Sequence, residues 1–125
     1  MNKIRGIRGA TTATENTKNS ILDATIELLG KLIETNCIRA DDVAAAVFTT
    51  TKDLNAEFPA QAARKLGWKY VALMCAQEID VEDSPDMCIR ILILVNTDKR
   101  AQEMENVYLR GAKDLRSRGI ADSIG

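Results

Sequence analysis

The sequence predicts an α/β or α+β fold built on one mixed β-sheet with helices packed on one face. Three observations carry that expectation. Apolar runs rich in β-branched residues recur along the chain, one long segment has helical spacing, and the order reads strand, long helix, strand, short helix, strand, strand. With 125 residues the chain has room for one domain with a real core and not for two.

Residues 4–12, Ile4-Arg5-Gly6-Ile7-Arg8-Gly9-Ala10-Thr11-Thr12, alternate weakly and read as a strand running into a turn. From residue 17 to 35, Ile21, Leu22, Ile26, Leu28, Leu29, Leu32 and Ile33 recur at the three-and-four spacing of an amphipathic helix. Asn16 or Thr17 can cap its start and Asn36 can help end it, with Glu27, Lys31 and Glu34 on the solvated side. Residues 43–51 are apolar and then threonine-rich, which favours a second strand. Residues 52–58 form a polar loop. Pro59 suits the first turn of a short helix through Ala60, Ala62, Ala63 and Leu66, stopped by Gly67.

Residues 70–75 read as the third strand, followed by a polar turn at Ala76-Gln77-Glu78 and a loop through Asp83, Ser84 and Pro85. Residues 88–97 form the clearest strand, with Ile89, Ile91, Ile93 and Val95 on one face and Cys88, Arg90, Leu92 and Leu94 on the other. Both faces are apolar, so both are expected to be covered. Two helices do not cover both sides of a sheet, and the remaining face is a candidate for oligomer packing. Residues 99–106 are helix-compatible, Val107-Tyr108-Leu109 either continues that helix or begins a last strand, and residues 117–125 read as a mobile tail.

Composition narrows the function classes. A formal net charge of -1 and five aromatic residues give no general attraction for nucleic acid and little base-stacking surface. No segment approaches the roughly 20 apolar residues of a membrane span, and no secretory signal is apparent. Cys37, Cys75 and Cys88 are odd in number and widely spaced, which argues against a disulfide framework or a zinc cage and favours a cytoplasmic home. The absence of histidine removes Ser-His and Cys-His nucleophile pairs.

Arg90 interrupts the most apolar stretch of the chain, where a guanidinium is tolerated only when paired. Its partner is either an internal carboxylate or a bound anion. Arg8, placed among glycines, makes a second such cation, and two of them point to a small dicarboxylate or a phosphate. Singly, each candidate has an ordinary structural role as well. Arg90 can snorkel to water, Glu78 can be a solvated loop carboxylate, Cys75 a small apolar residue and Tyr108 part of the rim.

Together these segments resemble a known family. The stretch 4–12, Phe58-Pro59-Ala60, Cys75-Ala76-Gln77-Glu78-Ile79-Asp80, Cys88-Ile89-Arg90 and Val107-Tyr108-Leu109 are similar, in order and separation, to the monofunctional chorismate mutases of the AroH class. The resemblance runs from residue 4 to about 116. It implies a homotrimer with a pseudo-α/β-barrel core, active sites between subunits, and the cofactor-free rearrangement of chorismate to prephenate, with no metal.

By the same resemblance, Arg90 meets the ether oxygen of the substrate, Arg8 and Tyr108 hold its side-chain carboxylate, and Glu78 with Cys75 contact the ring hydroxyl. Phe58, Ala60, Arg64, Leu73, Met74 and Leu115 match positions lining the cleft, and Arg116 matches a C-terminal segment that approaches the ligand. Gln61 stands where a lysine is expected and Met74 where a small polar residue is usual. The turn at Leu66-Gly67-Trp68 is one residue shorter than the family form. A non-catalytic trimer that binds a small carboxylated metabolite at the same interfaces is the alternative reading.

Overall fold

The computed structural model describes residues 2–114. Its principal elements are β1 (Lys3–Thr12), α1 (Lys18–Asn36), β2 (Val43–Thr50), α2 (Gln61–Lys65), β3 (Ala72–Gln77), β4 (Cys88–Thr97) and β5 (Val107–Tyr108). Short 3₁₀ turns occupy Ala40–Asp42, Ala101–Glu103 and Arg110–Lys113. The expectations for Leu115, Arg116 and the tail at 117–125 fall outside the described residues.

The five strands form one mixed sheet in the order β3-β2-β4-β1-β5. β4 runs antiparallel to both β1 and β2, whereas β2 with β3 and β1 with β5 pair in parallel. The parallel pair β2 and β3 is joined across α2, the crossover that parallel pairing requires. The last strand exists because Val107 and Tyr108 pair with Gly9 and Ala10, which settles that segment as strand.

Thr17 caps α1 as expected, in an extended conformation, with its hydroxyl accepting the Ser20 N–H at 3.2 Å. Its other end falls at Asn36, as expected. Asn36 is the last helical residue and faces inward, while Cys37 takes the left-handed cap position at φ 53°. Leu28, Leu29 and Leu32 of α1 pack on Ile7, Phe48, Ile91 and Ile93, all buried. Each such side chain removed from water contributes about 1.5–3 kcal/mol before chain entropy is counted. α1 lies close on the sheet because Gly9 has no side chain: a Cβ there would sit 2.7 Å from Leu32 Cδ1.

Two element boundaries differ from the sequence reading. β3 begins two residues later than expected and absorbs the first two residues of the predicted turn, because Ala76 and Gln77 pair with Thr49 and Thr50. Tyr70, expected in the strand, stands 91% exposed before it. The segment 99–106, read as helix-compatible, forms only the single turn Ala101–Glu103, after which the chain extends to reach β5. The helices cover one face of β4 and leave the other open within one chain, as expected of two helices on one sheet. The helices lie over Ile89, Ile91, Ile93 and Val95, and on the opposite face Leu92 is 38% and Met74 of β3 64% exposed.

Candidate functional site

Strand register builds the site. Arg90 lies opposite Ala10 on β1 and opposite Thr49 on β2, so all three project from the same side of the sheet. That side is the one turned away from the helices. Arg8, two residues before Ala10, therefore shares it, and the parallel pairing of Ala10 with Tyr108 brings Tyr108 alongside. Glu78 follows the end of β3 and is fixed by its N–H, which donates to Thr50 O at 2.9 Å.

These side chains surround a cavity of about 270 Å³ lined by Arg8, Thr49, Glu78, Arg90, Leu92 and Tyr108. Within it, Arg90 Nη1 lies 3.7 Å from Glu78 Oε1, with the two side chains 25% and 29% exposed. This is Arg90's one ion pair among the described residues, and it is long. Thr49 Oγ1 donates to Glu78 Oε2, so the carboxylate is held by one hydroxyl and one guanidinium. The Tyr108 hydroxyl is buried and has no hydrogen-bond partner among the described residues. A buried hydroxyl without a partner is costly.

An apolar cavity of about 300 Å³ adjoins the first across the Glu78 and Arg90 side chains, between Cys88 and the loop bearing Ile79, Val81 and Pro85. Burial pushes the Cys88 thiol up to about 11; the Arg90 charge opposes this, and Glu78 and Asp53 add to it. A thiol so protonated is no nucleophile near neutral pH.

The remaining candidate residues do not join Arg8, Glu78, Arg90 and Tyr108 around the first cavity. Phe58 and Cys75 line a separate one of about 370 Å³ with Leu54 and Pro59. The Cys75 side chain falls on the helix-covered side of the sheet, and its thiol is pushed up by burial, opposed by a hydrogen bond with the Ala60 backbone. Ala60 precedes α2, and Leu73 packs partly buried against the core. Met74 lies exposed on the open face. Arg64 Nη1 donates to the carbonyls of Trp68, Lys69 and Val71 at 2.6, 3.0 and 3.1 Å, so its guanidinium ties down the turn after α2.

Thr49 is a site residue that sequence reasoning missed. In a threonine run it reads only as a strand former, and the register with Arg90 is what shows that its hydroxyl reaches Glu78. Among the described residues, no group of three or more cysteine, aspartate or glutamate side chains is arranged to hold a metal ion. No helix among them is long and apolar enough to cross a membrane.

A mixed sheet covered by helices on one side, with two arginines and a tyrosine whose hydroxyl is buried lining a cavity on the other, defines an α+β protein with a charged cavity on its open face. The chain belongs to the chorismate mutase type I family, whose model matches residues 4–118. The chorismate mutase AroH of Bacillus subtilis (strain 168) is 45% identical over 114 residues, which cover 90% of each chain. That of Thermus thermophilus is 46% identical over 114 residues, covering 90% of this chain and 93% of the relative. Among solved structures, a chorismate mutase from Clostridium thermocellum superposes with a TM-score of 0.85 at 50% identity, covering 86% of this chain and 96% of that one.

Proposed function

We propose that the protein is a chorismate mutase that rearranges chorismate to prephenate, a carbon-skeleton step towards phenylalanine and tyrosine, in clefts between neighbouring subunits of a homotrimer. The observation that carries this reading is the pair Arg8 and Arg90 beside the unpartnered Tyr108 hydroxyl, on an otherwise apolar and open sheet face. Family membership and the identity of the relatives point to the same reaction.

Chorismate carries two carboxylates and a ring hydroxyl, and its rearrangement is pericyclic, so it needs neither a nucleophile nor an obligatory proton transfer. Arg8 and Tyr108 take the side-chain carboxylate. Glu78, held by Thr49, faces the ring hydroxyl. As the ether C–O bond breaks ahead of C–C bond formation, negative charge grows on the ether oxygen, and Arg90 stabilises it there. The long Arg90–Glu78 pairing suits this role, because a tight bidentate pair would occupy the guanidinium fork.

The trimer supplies the rest of the cleft. Phe58 and Cys75 line a different cavity of the same chain, so in this reading the Arg90 side of one subunit meets the Phe58 side of the next. Contact between two unlike patches is heterologous, and a rotation of one third of a turn between copies closes it into a ring of three. Leu92 and Met74 on the open face are the apolar surface available for that packing. The three cysteines are free, in keeping with a cytoplasmic home.

The test is loss of chorismate absorbance with wild type and Arg90→Ala of equal oligomer mass. Turnover by wild type with a loss of about 10²–10³ in kcat for the variant is expected. Equal turnover by both would remove Arg90 from the reaction, and none by either would leave a carboxylate-binding assembly.

A further inference from the structure

Asn36 is the last residue of α1 and only 5% exposed. Its amide is fully engaged. Nδ2 donates to Leu32 O within the helix at 3.0 Å and to Glu105 O at 3.0 Å, while Oδ1 accepts the Glu105 N–H at 2.8 Å. One side chain thus takes both main-chain groups of a residue 69 positions away, the bonding that a neighbouring strand would otherwise supply.

From Glu105 the chain runs directly into the site. Asn106 Oδ1 accepts the Arg8 N–H at 2.9 Å. Val107 and Tyr108 then pair with Gly9 and Ala10, and the Leu109 N–H donates to Ala10 O at 2.9 Å. With only two residues, β5 is too short to set its own register, so its height beside β1 depends on what anchors the chain just before it. α1 is itself seated on β1 at Gly9, where the Leu32 side chain leaves no room for a Cβ. Both ends of the 105–109 segment are therefore referred to the same surface.

We propose that Asn36 is a positioning residue for the carboxylate grip of Arg8 and Tyr108. Its amide carries the rigidity of α1 into the two-residue strand that presents the tyrosine hydroxyl. The inference rests on the proposed function, in which Arg8 and Tyr108 hold the substrate carboxylate. A role confined to closing the helix end would lower stability and leave substrate affinity alone.

The experiment compares Asn36→Ala, Asn36→Gln, Tyr108→Phe, Arg8→Ala and the double variant Asn36→Ala/Tyr108→Phe as full-length chains. Chorismate turnover is measured at a temperature where circular dichroism shows each to be folded and the oligomer masses agree. Asn36→Ala should raise KM about tenfold with a smaller change in kcat, the equivalent of one weakened hydrogen bond. Asn36→Gln, which keeps the same donor and acceptor on an arm one methylene longer, should fall between it and wild type. The double variant should lose less than the product of the single losses, because both changes act on one contact.

A folded Asn36→Ala with a lower melting temperature and wild-type KM would overturn the proposal, as would fully multiplicative losses in the double variant. Should Asn36→Ala not fold, Asn36→Gln alone and with Tyr108→Phe decides by the same criteria. If instead Tyr108→Phe and Arg8→Ala both leave KM unchanged, the site reading fails and takes this inference with it. Effects of those two without an effect of Asn36 sink the inference alone.

Discussion

Replacing Gly9 by alanine tests how closely α1 is seated on the sheet that carries Arg8. The added Cβ would meet Leu32 Cδ1 at 2.7 Å, Leu28 Cδ1 at 3.1 Å and Leu32 Cγ at 3.3 Å. Comfortable carbon contacts begin at about 3.5 Å, so Leu32 must retreat by about 0.8 Å. Both leucines are wholly buried, so the retreat requires a poorer rotamer or a lifted helix. Such overpacking costs about 1–3 kcal/mol, and the smaller conformational freedom of the unfolded alanine chain returns about 0.4–1 kcal/mol. At the middle of those ranges the net loss is about 1.3 kcal/mol, which corresponds to a melting temperature lowered by roughly 4–8 °C. Thermal unfolding by circular dichroism reads this at one fixed protein concentration, because an assembly melts with concentration dependence. Gly30→Ala is the opposing control: that position lies within α1, nothing stands within 4 Å of its added Cβ, and the exchange should stabilise by about 0.5–1 kcal/mol. An unchanged or raised melting temperature for Gly9→Ala would refute the close seating of α1.

Thr49→Val keeps the shape of the side chain and removes the hydroxyl that Glu78 accepts from, so kcat/KM for chorismate should fall about tenfold, whereas Thr49→Ser should stay near wild type. Steady-state kinetics on the three proteins decide it, and equal values would detach Thr49 from the site. Cys88 gives a pH dependence of definite sign. Its thiol goes from 9.0 to about 11 on folding, so between those values the unfolded chain has lost the proton that the folded chain keeps. Stability should therefore fall by about 2–3 kcal/mol as pH rises from about 9 to 11. Urea midpoints across that range should show this slope in wild type and a shallower one in Cys88→Ala.

The hydrophobic pattern made much of the fold legible. The spacing of Ile21, Leu22, Leu28, Leu29 and Leu32 is a helical face that buries as a unit, and the alternation in β4 separates the two sides of the sheet. Boundaries that depend on pairing partners were less legible. Ala76 and Gln77 carry no strand signal of their own and are strand because Thr49 and Thr50 offer them a ladder. The segment 99–106 has charges suited to a helix but must span from β4 to β5, and Asn36, 69 positions from Glu105, holds its far end. Non-local partners of that kind leave no local pattern.

For the site, resemblance supplied residues that spacing could not relate to one another. Arg8, Glu78, Arg90 and Tyr108 lie on four different segments, and what unites them is register: Ala10 opposite both Arg90 and Tyr108, and Thr49 opposite Arg90. The same register explains why a cation can stand in so apolar a strand. The pleat that turns Ile89, Ile91, Ile93 and Val95 under the helices turns Arg90 to the open face. A slip of one residue would bury the guanidinium against Leu28 and Leu32 and expose four large apolar side chains, at a cost far above the stability of a small domain. Core pattern and site are therefore specified by one alternation, and any change that preserves the isoleucine face also preserves where Arg90 points.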